Sequence, residues 1–527
     1  MKYAFVRSAL LCVLWLGGFA VATAASFDKR YERIESWDGT ALGAVVMTPS
    51  GQGPGPFPLV VMPSSWSLSD LEYVGRAAHM AGEGYVVVSY TSRGFWDSQG
   101  RVDMAGPATV EDVSAVIDWA LAHTPASPEA IGLSGISLGA GTSLLAAARD
   151  PRIKAVAALS GWGDLGKSFY GNQTGSKQAM IVLSRLGEAT GRAGPELAQF
   201  ERRVGAGRYE LAIRGMLPLF PARNPVEAVD AINRNGTAVM LGNSFNDSMF
   251  PPNQYVDFYN RLVVPKRLMF SQGDHATAEL PGALGFPNRV YAEVERWFGH
   301  YLKGSDNGVQ REPPVLLHSY EGQWLRYRNW AEVQQGATYY GLSSPAGKRQ
   351  GTGALVEGAT SEWSHDVTAG VPTLANAGPV LVTGLLQAWE KPVTISIAQI
   401  DRQGAAVWVG GRLPTKRWLT GSPRLRLVVT PMRREVSVFA YLYRVDAHGK
   451  GQLLTHKAYS LRNVVPGRAT SIRLELEAAA TELPAGDRLA LVIDTLDPRY
   501  DDVSTPGDAV RFSSTTVQPA VLEVTLH

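Results

Sequence analysis

Residues 130–141 read AIGLSGISLGAG. The first four of them, Ala130–Leu133, have the apolar character of a buried strand, and the alanine-rich stretch Leu138–Arg149 that follows has the character of a helix. The pentapeptide Gly-Ile-Ser-Leu-Gly lies between them, centred on Ser137. Glycines flank a sharp strand-to-helix turn because its strained backbone leaves no room for side chains. This context predicts that Ser137 is a nucleophile beside a helix N-terminus, where N–H groups favour negative charge. The alternative is a glycine-rich turn that only packs a helix on a sheet.

On both sides of this turn, β-branched runs alternate with helical stretches from about Arg30 to Lys303. Such alternation predicts a mostly parallel sheet with helices on both faces, and with the Ser137 turn it predicts an α/β-hydrolase fold. The predicted strands are Tyr31–Glu35, Ala41–Met47, Pro58–Met62, Tyr85–Tyr90, Ala130–Leu133, Ile153–Leu159, Ala238–Leu241 and Arg267–Phe270, and the predicted helices include Leu71–Ala81, Val110–His123 and Val290–Leu302.

One long insertion and one change in the predicted secondary structure divide the chain further. Residues 163–221 separate two predicted strands, and a connection of that length predicts a helical cap over the site; a surface excursion without a role is the alternative. After about residue 312, short alternating strands replace the helices. They predict a C-terminal β-sandwich of the jelly-roll, galactose-binding-like type over 312–527, after a catalytic domain over 25–311.

The N-terminus has the features of a cleavable signal peptide. Lys2 and Arg7 precede the apolar stretch Ser8–Ala22, and Ala22-Thr23-Ala24 is a small-x-small cleavage pattern. We expect removal of residues 1–24 and a periplasmic or secreted protein. The alternative, an uncleaved membrane anchor, requires an apolar run of roughly 20 residues, which this stretch lacks.

Composition excludes several classes of protein. The 527 residues suggest two or three domains, and a formal net charge of +2 gives no electrostatic reason to expect a nucleic-acid partner. The only cysteine, Cys12, lies in the predicted leader, so the mature chain has no disulfide, catalytic thiolate or cysteine-ligated metal. No His, Asp or Glu cluster has metal-ligand spacing, and the glycine-rich stretches lack the lysine of a phosphate-binding loop. We therefore expect neither a metal nor another cofactor.

A serine nucleophile needs a base, and the base needs an acid that orients it. In this fold the chain order is serine, acid, histidine. His275 follows the predicted strand Arg267–Phe270, whereas the other histidines precede Ser137, lie on the last helix or fall in the sandwich region. Asp247 follows the strand Ala238–Leu241, at the sheet edge where catalytic groups collect. Asp230 and Asp274 are the weaker candidates for the acid.

Several of these features together resemble the family of X-prolyl dipeptidyl peptidases, cocaine esterases and α-amino-acid ester hydrolases. The resemblance spans nearly the whole mature chain and implies a hydrolase domain with a cap, packed against a C-terminal jelly roll that helps to wall the active site. It rests on Asp38-Gly39-Thr40, Ser92-Arg93-Gly94 with Asp97-Ser98-Gln99-Gly100, the Ser137 turn, the Asp247/His275 pair, and a sandwich entered by Leu419-Thr420-Gly421-Ser422-Pro423.

The expected oxyanion hole departs from the family's pattern. One donor should be the N–H of Leu138, and the other should come from the loop Pro63-Ser64-Ser65-Trp66. Family members often carry a tyrosine after the proline, whereas Ser64 stands there in this chain. We predict Ser64 as the second donor, with a backbone N–H of the loop or a pocket reshaped by Trp66 as alternatives.

The sequence therefore predicts an exported serine hydrolase that cleaves an ester or amide bond of a small substrate through an acyl-enzyme. The resemblance implies an X-prolyl dipeptidyl-peptidase-like activity, with a carboxylic-ester hydrolase of the cocaine-esterase type as the alternative. A dipeptidyl peptidase would need an acidic residue for the substrate's α-amine, and an esterase of the cocaine-esterase type would need only an apolar pocket. The cap offers Glu188, Glu196, Glu201 and Glu210 for the first, and the expected pocket residues Trp66 and Trp162, with Phe169 and Tyr170, suit the second.

The competing hypothesis is a non-catalytic carbohydrate- or polymer-binding protein. In that case the sandwich would be the working part, with Trp408 and Trp418 as exposed binding platforms. Most aromatic side chains in such sandwiches belong to the core, and the serine, acid and histidine stand in intact order. Both observations favour the enzyme.

Overall fold

The computed structural model describes residues 27–345 and 351–527. The predicted leader, residues 1–24 with Cys12, lies outside the described residues. Within the described part of the chain, no helix is both long and apolar enough to cross a membrane.

The first sheet is mixed, with a parallel centre. Its strands are β1 (Phe27–Glu35), β2 (Ala41–Pro49), β3 (Phe57–Pro63), β4 (Val86–Tyr90), β5 (Ala126–Ile136), β6 (Ile153–Leu159), β7 (Ala238–Ser244), β8 (Lys266–Ser271), β9 (Val315–His318) and β10 (Trp324–Tyr327). They lie in the order β1-β2-β4-β3-β5-β6-β7-β8-β9-β10. Pairing is parallel from β4 to β9 in this order and antiparallel at both edges.

Helices cover both faces of this sheet. In β4, Val86 and Val88 join one apolar core, whereas Val87 between them joins the core on the opposite face. This alternation is why the strand is apolar throughout. The helices of the protein are α1 (Val74–Gly82), α2 (Pro107–His123), α3 (Leu138–Arg149), α4 (Leu165–Tyr170), α5 (Lys177–Thr190), α6 (Pro195–Gly205), α7 (Tyr209–Met216), α8 (Val229–Asn235), α9 (Asn253–Arg261), α10 (Leu280–Ala283), α11 (Arg289–Tyr301), α12 (Trp330–Val333) and α13 (Thr383–Ala388).

The sheet extends beyond the domain boundary expected at residue 311. Strand β9 pairs in parallel with β8, and β10 pairs with β9, so the first sheet continues to Tyr327. The alternation of strands and helices does end near residue 312. Without β9, however, β8 would be the edge strand of the sheet, and the short apolar segment 315–318 pairs with its open side.

Helices α4 to α7 form the cap, within the insertion expected at 163–221. The cap is tied to the loop between β4 and α2 by isolated bridges from Phe95 to Gly191 and from Val102 to Ala193. It also contacts the C-terminal region, where Arg462 pairs with Glu210 at 2.8 Å. The insertion is therefore anchored to both parts of the protein.

The C-terminal region is a second, β-rich unit. Its strands are β11 (Ala337–Leu342), β12 (Gly353–Glu357), β13 (Trp363–Thr368), β14 (Thr394–Ser396), β15 (Ala406–Gly410), β16 (Arg417–Pro431), β17 (Val436–Val445), β18 (Lys450–Leu461), β19 (Thr470–Glu475), β20 (Ala479–Leu483), β21 (Arg488–Asp494), β22 (Ala509–Ser514) and β23 (Val521–Leu526). Apolar side chains from most of these strands share one core.

Trp408 belongs to that core and is not a surface platform. It is fully buried, and its indole N–H donates to Ser343 O at 2.9 Å. The expectation that it is exposed was wrong because β15 is buried on both faces, so its alternating pattern does not mark a solvent side. Trp418, at the start of β16, is partly exposed.

A buried ion cluster explains the two motifs around Asp38 and Arg93. Arg93 holds Asp112 of α2 with two bonds of 2.6 and 2.5 Å, and it reaches Asp38 of the β1–β2 turn at 3.0 Å. Ser36 adds a bond of 2.5 Å to Asp112. Asp112 is fully buried, so Arg93 both neutralises it and joins the β1–β2 turn to α2.

Replacing Arg93 should therefore cost much of the protein's stability. In Arg93→Ala the buried Asp112 loses its cation, and we expect a loss of about 3–5 kcal/mol in the free energy of unfolding, measured by urea denaturation. The exposed pair of Arg311 with Asp306 provides the control, since Arg311→Ala should leave the urea midpoint unchanged. Equal midpoints for the two variants would contradict this account of the cluster.

Candidate active site

Ser137 lies in a strained turn between β5 and α3. Its backbone has φ 57° and ψ −116°, a conformation that non-glycine residues rarely adopt. The turn is tight enough that a Cβ on Gly135 would lie 2.4 Å from the carbonyl carbon of Gly139. The pentapeptide therefore needs its glycines for space, and the turn places the buried Ser137 at the end of a parallel strand, in the lining of a cavity.

His275 and Asp247 complete a chain of hydrogen bonds with Ser137. The distance from His275 Nε2 to Ser137 Oγ is 3.0 Å, and the distance from His275 Nδ1 to Asp247 Oδ2 is also 3.0 Å. Asp247 Oδ1 accepts the N–H groups of Met249 and Phe250 at 2.9 and 2.7 Å. These bonds fix the carboxylate, which in turn fixes the imidazole so that Nε2 faces the hydroxyl.

The surroundings of His275 favour its protonated form. Burial alone would lower its pKa, but the negative charges of Asp247, Asp274 and Glu279 outweigh burial, and the pKa is raised above 6.5. A base with a raised pKa accepts the serine proton more readily. The arrangement can therefore carry a proton from Ser137 Oγ to His275 and stabilise the imidazolium that forms.

Ser64 does not supply an oxyanion donor in this geometry. Its N–H donates to Tyr90 O at 2.9 Å, and its hydroxyl donates to Ser92 Oγ at 3.4 Å while accepting the Ser92 N–H at 3.0 Å. Both groups are thus engaged at the end of β4, away from Ser137. The local sequence could not reveal this, because the partners lie on a neighbouring strand.

The loop offers a different donor on the wall beside Ser137. The Ser65 N–H is bound by Glu72 at 2.7 Å, whereas the N–H of Trp66 has no acceptor among the described residues. Leu138 begins α3, so its N–H is also free of any intrahelical partner. Trp66, Leu138 and Ser137 line the same cavity. The backbone N–H groups of Leu138 and Trp66 are therefore the available pair.

The cavity next to Ser137 is apolar and roofed by the cap. It contains about 650 Å³ of empty space, counting its mouth, and Ser137 and Ser184 are the polar residues among those lining it. The indole N–H groups of Trp66 and Trp162 turn away to Leu183 O and Arg223 O. The remaining lining residues are Met104, Leu138, Leu165, Phe169, Leu183, Leu197, Phe200, Ile213, Met216, Phe220 and Phe250.

The acidic residues of the cap lie outside this lining. Glu188 pairs with Arg185 at 2.8 Å, and Glu196 is exposed. Glu210 binds Arg462 and accepts a bond from the hydroxyl of Tyr170, so Tyr170 does not line the cavity either. Glu201 differs from the others, because it is buried and its Oε1 has no partner among the described residues.

Two family profiles match this chain along most of its length. Residues 38–277 match the X-Pro dipeptidyl-peptidase (S15 family), and residues 307–522 match the X-Pro dipeptidyl-peptidase C-terminal non-catalytic domain. The chain belongs to the S15 family. It is a serine hydrolase, and the hypothesis of a non-catalytic binding protein is set aside.

A curated relative and two solved structures extend this result for the S15 hydrolase. A putative Xaa-Pro dipeptidyl-peptidase of Streptomyces avermitilis is 24% identical over 506 residues, covering 82% of this chain and 70% of that protein. An aminopeptidase from a marine sediment Thaumarchaeota archaeon superposes with a TM-score of 0.72 at 16% identity, over 96% of this chain and 98% of the other. A CocE/NonD family hydrolase of Staphylococcus aureus gives 0.71 at 14%, over 97% and 99%. The predicted α/β-hydrolase fold with a β-rich C-terminal domain is confirmed.

The C-terminal domain of this S15 hydrolase braces the loop that carries His275. Leu381 N–H donates to Ser248 Oγ at 3.1 Å, and the Ser248 hydroxyl donates to Asp274 Oδ1 at 2.5 Å. The N–H of His275 donates to the same oxygen at 2.8 Å. Asp274, the weaker candidate for the acid in the sequence, thus supports the loop, while Asp247 contacts the imidazole. Sequence reasoning missed Ser248 and Leu381 because their contacts join distant parts of the chain.

The described residues contain no group of three or more His, Cys, Asp or Glu side chains placed to hold a metal ion.

The close approach of α13 to this loop gives a test of the brace. A Cβ on Gly384 would lie 2.7 Å from Gly273 O, so Gly384→Val should displace the loop and His275 with it. We expect kcat for a nitrophenyl ester to fall about 10- to 100-fold, because small misplacements of a base are costly.

The neighbouring Val382→Ala is the matched control, because this side chain is 47% exposed and its loss should leave kcat unchanged. Circular dichroism would establish that both variants are folded. A Gly384→Val enzyme with the parent kcat would refute the bracing role.

Proposed function

We propose that this S15-family chain hydrolyses carboxylic esters with an apolar acyl group, using Ser137, His275 and Asp247. The observation that carries the proposal is the apolar cavity beside Ser137, whose lining is aromatic and aliphatic apart from Ser137 itself and Ser184. Among the described residues no carboxylate lines this cavity, so a charged α-amine would enter it without a partner.

The chemical steps follow from the positions of these groups. Ser137 Oγ attacks the ester carbonyl while His275 Nε2 takes its proton, and Asp247 stabilises the imidazolium. The negative charge on the carbonyl oxygen would be bound by the N–H groups of Leu138 and Trp66. His275 then returns the proton to the departing alcohol, and water releases the acyl group from Ser137 by the same route.

The second candidate function is removal of an X-Pro dipeptide, which the names of the family and of the Streptomyces avermitilis relative suggest. Glu201 supports the peptidase function, because its carboxyl group could bind the substrate's α-amine. Its Oε1 has no partner among the described residues and lies near Trp66, on the cap side of the cavity. Burial and the nearby Glu188 raise the pKa of Glu201 to about 7. An approaching ammonium group would lower that pKa and draw the carboxylate into an ion pair.

Turnover of two substrate types would separate these functions. We expect kcat/KM for short-chain nitrophenyl esters to exceed that for Gly-Pro anilide by at least about 100-fold, because the amine lacks a partner in the cavity. Ser137→Ala should lose both activities, and retention of either would overturn the catalytic role of Ser137.

Glu201→Gln resolves the remaining alternative. For an esterase, the ester kcat/KM stays at the parent value, since Glu201 does not line the acyl cavity. For a dipeptidyl peptidase, Gly-Pro anilide is the better substrate and its KM rises in this variant. The latter pair of results would replace the ester proposal with the peptidase.

Export is the remaining part of the proposal. It rests on the charged and apolar composition of residues 1–24 and on the Ala22-Thr23-Ala24 pattern. N-terminal sequencing of the protein from its native host should begin at Ala25, and a mature chain that retains Lys2 would contradict cleavage.

A further inference from the structure

A buried carboxyl group lies beneath the loop that carries the Trp66 N–H. Glu72 precedes α1 and turns inward, where its Oε2 accepts the Ser65 N–H at 2.7 Å and its Oε1 lies 2.6 Å from Ser65 Oγ. The backbone and the side chain of Ser65 are therefore both held by one carboxyl group. The acyl-transfer steps described above do not use it.

Ser65 also connects this carboxyl group to the nucleophile turn. Its Oγ lies 2.9 Å from the carbonyl oxygen of Ile136, the residue before Ser137. The Ile136 N–H, on the other side of the same residue, donates to the hydroxyl of Tyr73 at 2.9 Å. Both polar backbone groups of Ile136 are thus held by the cluster of Ser65, Glu72 and Tyr73.

The two contacts of the Ser65 hydroxyl determine the protonation state of Glu72. The Ser65 hydroxyl has one hydrogen, yet it lies at hydrogen-bond distance from two oxygens that otherwise only accept, Glu72 Oε1 and Ile136 O. Both contacts are satisfied when Glu72 is protonated, because its O–H then donates to Ser65 Oγ and the Ser65 hydroxyl donates to Ile136 O. An ionised Glu72 would take the Ser65 hydrogen and leave Ile136 O without this donor.

The surroundings of Glu72 favour the neutral form. Burial raises the pKa of Glu72 to about 7, because its effect outweighs the hydrogen bonds with Ser65 and Tyr73, which lower the pKa. The ionisable groups near it on other elements are His275, after β8, and Tyr291, on α11. Arg76, one turn further along, points away and binds Glu295 and Gly282 O, so it does not neutralise Glu72.

We propose that Glu72 is a positioning residue that works in its protonated form, holding the 63–67 loop on the Ser137 turn through Ser65. The inference rests on the proposed ester hydrolysis, because it assigns a role within acyl transfer at Ser137. Ionisation of Glu72 releases Ile136 O from Ser65 and places a negative charge beneath the loop that must stabilise the oxyanion. Both effects raise the energy of the tetrahedral intermediate.

The consequence is a second ionisation in the pH dependence of the enzyme. His275 must be neutral to act as a base, so activity falls as the pH drops through its raised pKa. Glu72 must be protonated, so activity also falls as the pH rises through a pKa of about 7. The kcat/KM of the wild-type enzyme, plotted against pH, should therefore give a narrow bell-shaped curve.

The Glu72→Gln variant tests this directly. Its amide group reproduces the protonated acid, since the NH2 donates to Ser65 Oγ and the carbonyl accepts the Ser65 N–H, but it cannot ionise. We expect kcat/KM for a nitrophenyl ester, measured from about pH 5 to about pH 10, to keep the acid limb and lose the alkaline limb. Glu83→Gln, at an exposed acid after α1, is the control and should keep the bell.

Glu72→Ala separates positioning from simple packing. It should lower kcat about 10- to 100-fold with little change in KM, and Glu72→Gln should restore most of that kcat below neutral pH. An alkaline limb that persists in Glu72→Gln, or a wild-type profile without one, would overturn the role of Glu72. Labelling by a fluorophosphonate that Ser137→Ala abolishes would show that the acyl-transfer proposal still stands in that case.

Discussion

The active site depends on a direct contact between two backbone segments, the start of α3 and the end of β3. A Cβ on Gly139 would lie 2.1 Å from Pro63 O, so the first turn of α3 touches the loop after β3 with no side chain between them. This contact brings Leu138 and Trp66, whose N–H groups are the proposed oxyanion donors, to the lining of one cavity. The strained conformation of Ser137 is tolerated because the parallel strands and α3 hold both of its neighbours. The nucleophile and its oxyanion donors therefore form one unit.

The histidine side of the site is assembled differently, from parts that are far apart in the chain. Asp247 follows β7 and His275 follows β8, and their shared sheet edge brings them to Ser137. The loop under His275 then needs a further support, which comes from Leu381 in the C-terminal domain through Ser248. A domain described in the family as non-catalytic thus contributes to the placement of the base.

Features that local sequence controls could be predicted, and features that depend on distant partners could not. The Ser137 turn, the first eight strands of the first sheet and the order of Asp247 and His275 follow from periodicity and spacing, whereas β9 and β10 were not predicted. Ser64 was misjudged because Tyr90, at the end of β4, and Ser92, just after it, decide what its donors do. Glu72 was missed for the same reason: it lies in an ordinary amphipathic stretch, and only the fold reveals that it is buried against Ser65.

The attachment of Trp66 to the cap has a consequence for how this scaffold can change. The indole N–H donates at 3.0 Å to the main-chain oxygen of Leu183, and Ser67 and Thr190 bond to each other across the same junction at 2.8 Å. Because the acceptor is a backbone oxygen, this hydrogen bond does not depend on which side chain residue 183 carries. Under the proposed ester hydrolysis, Leu183, Leu197 and Phe200 can therefore be exchanged, and the accepted acyl groups with them, while the bonds from Trp66 to Leu183 O and between Ser67 and Thr190 persist. The side chains that select the substrate can thus change, in evolution or in the laboratory, without changing the contacts that support catalysis.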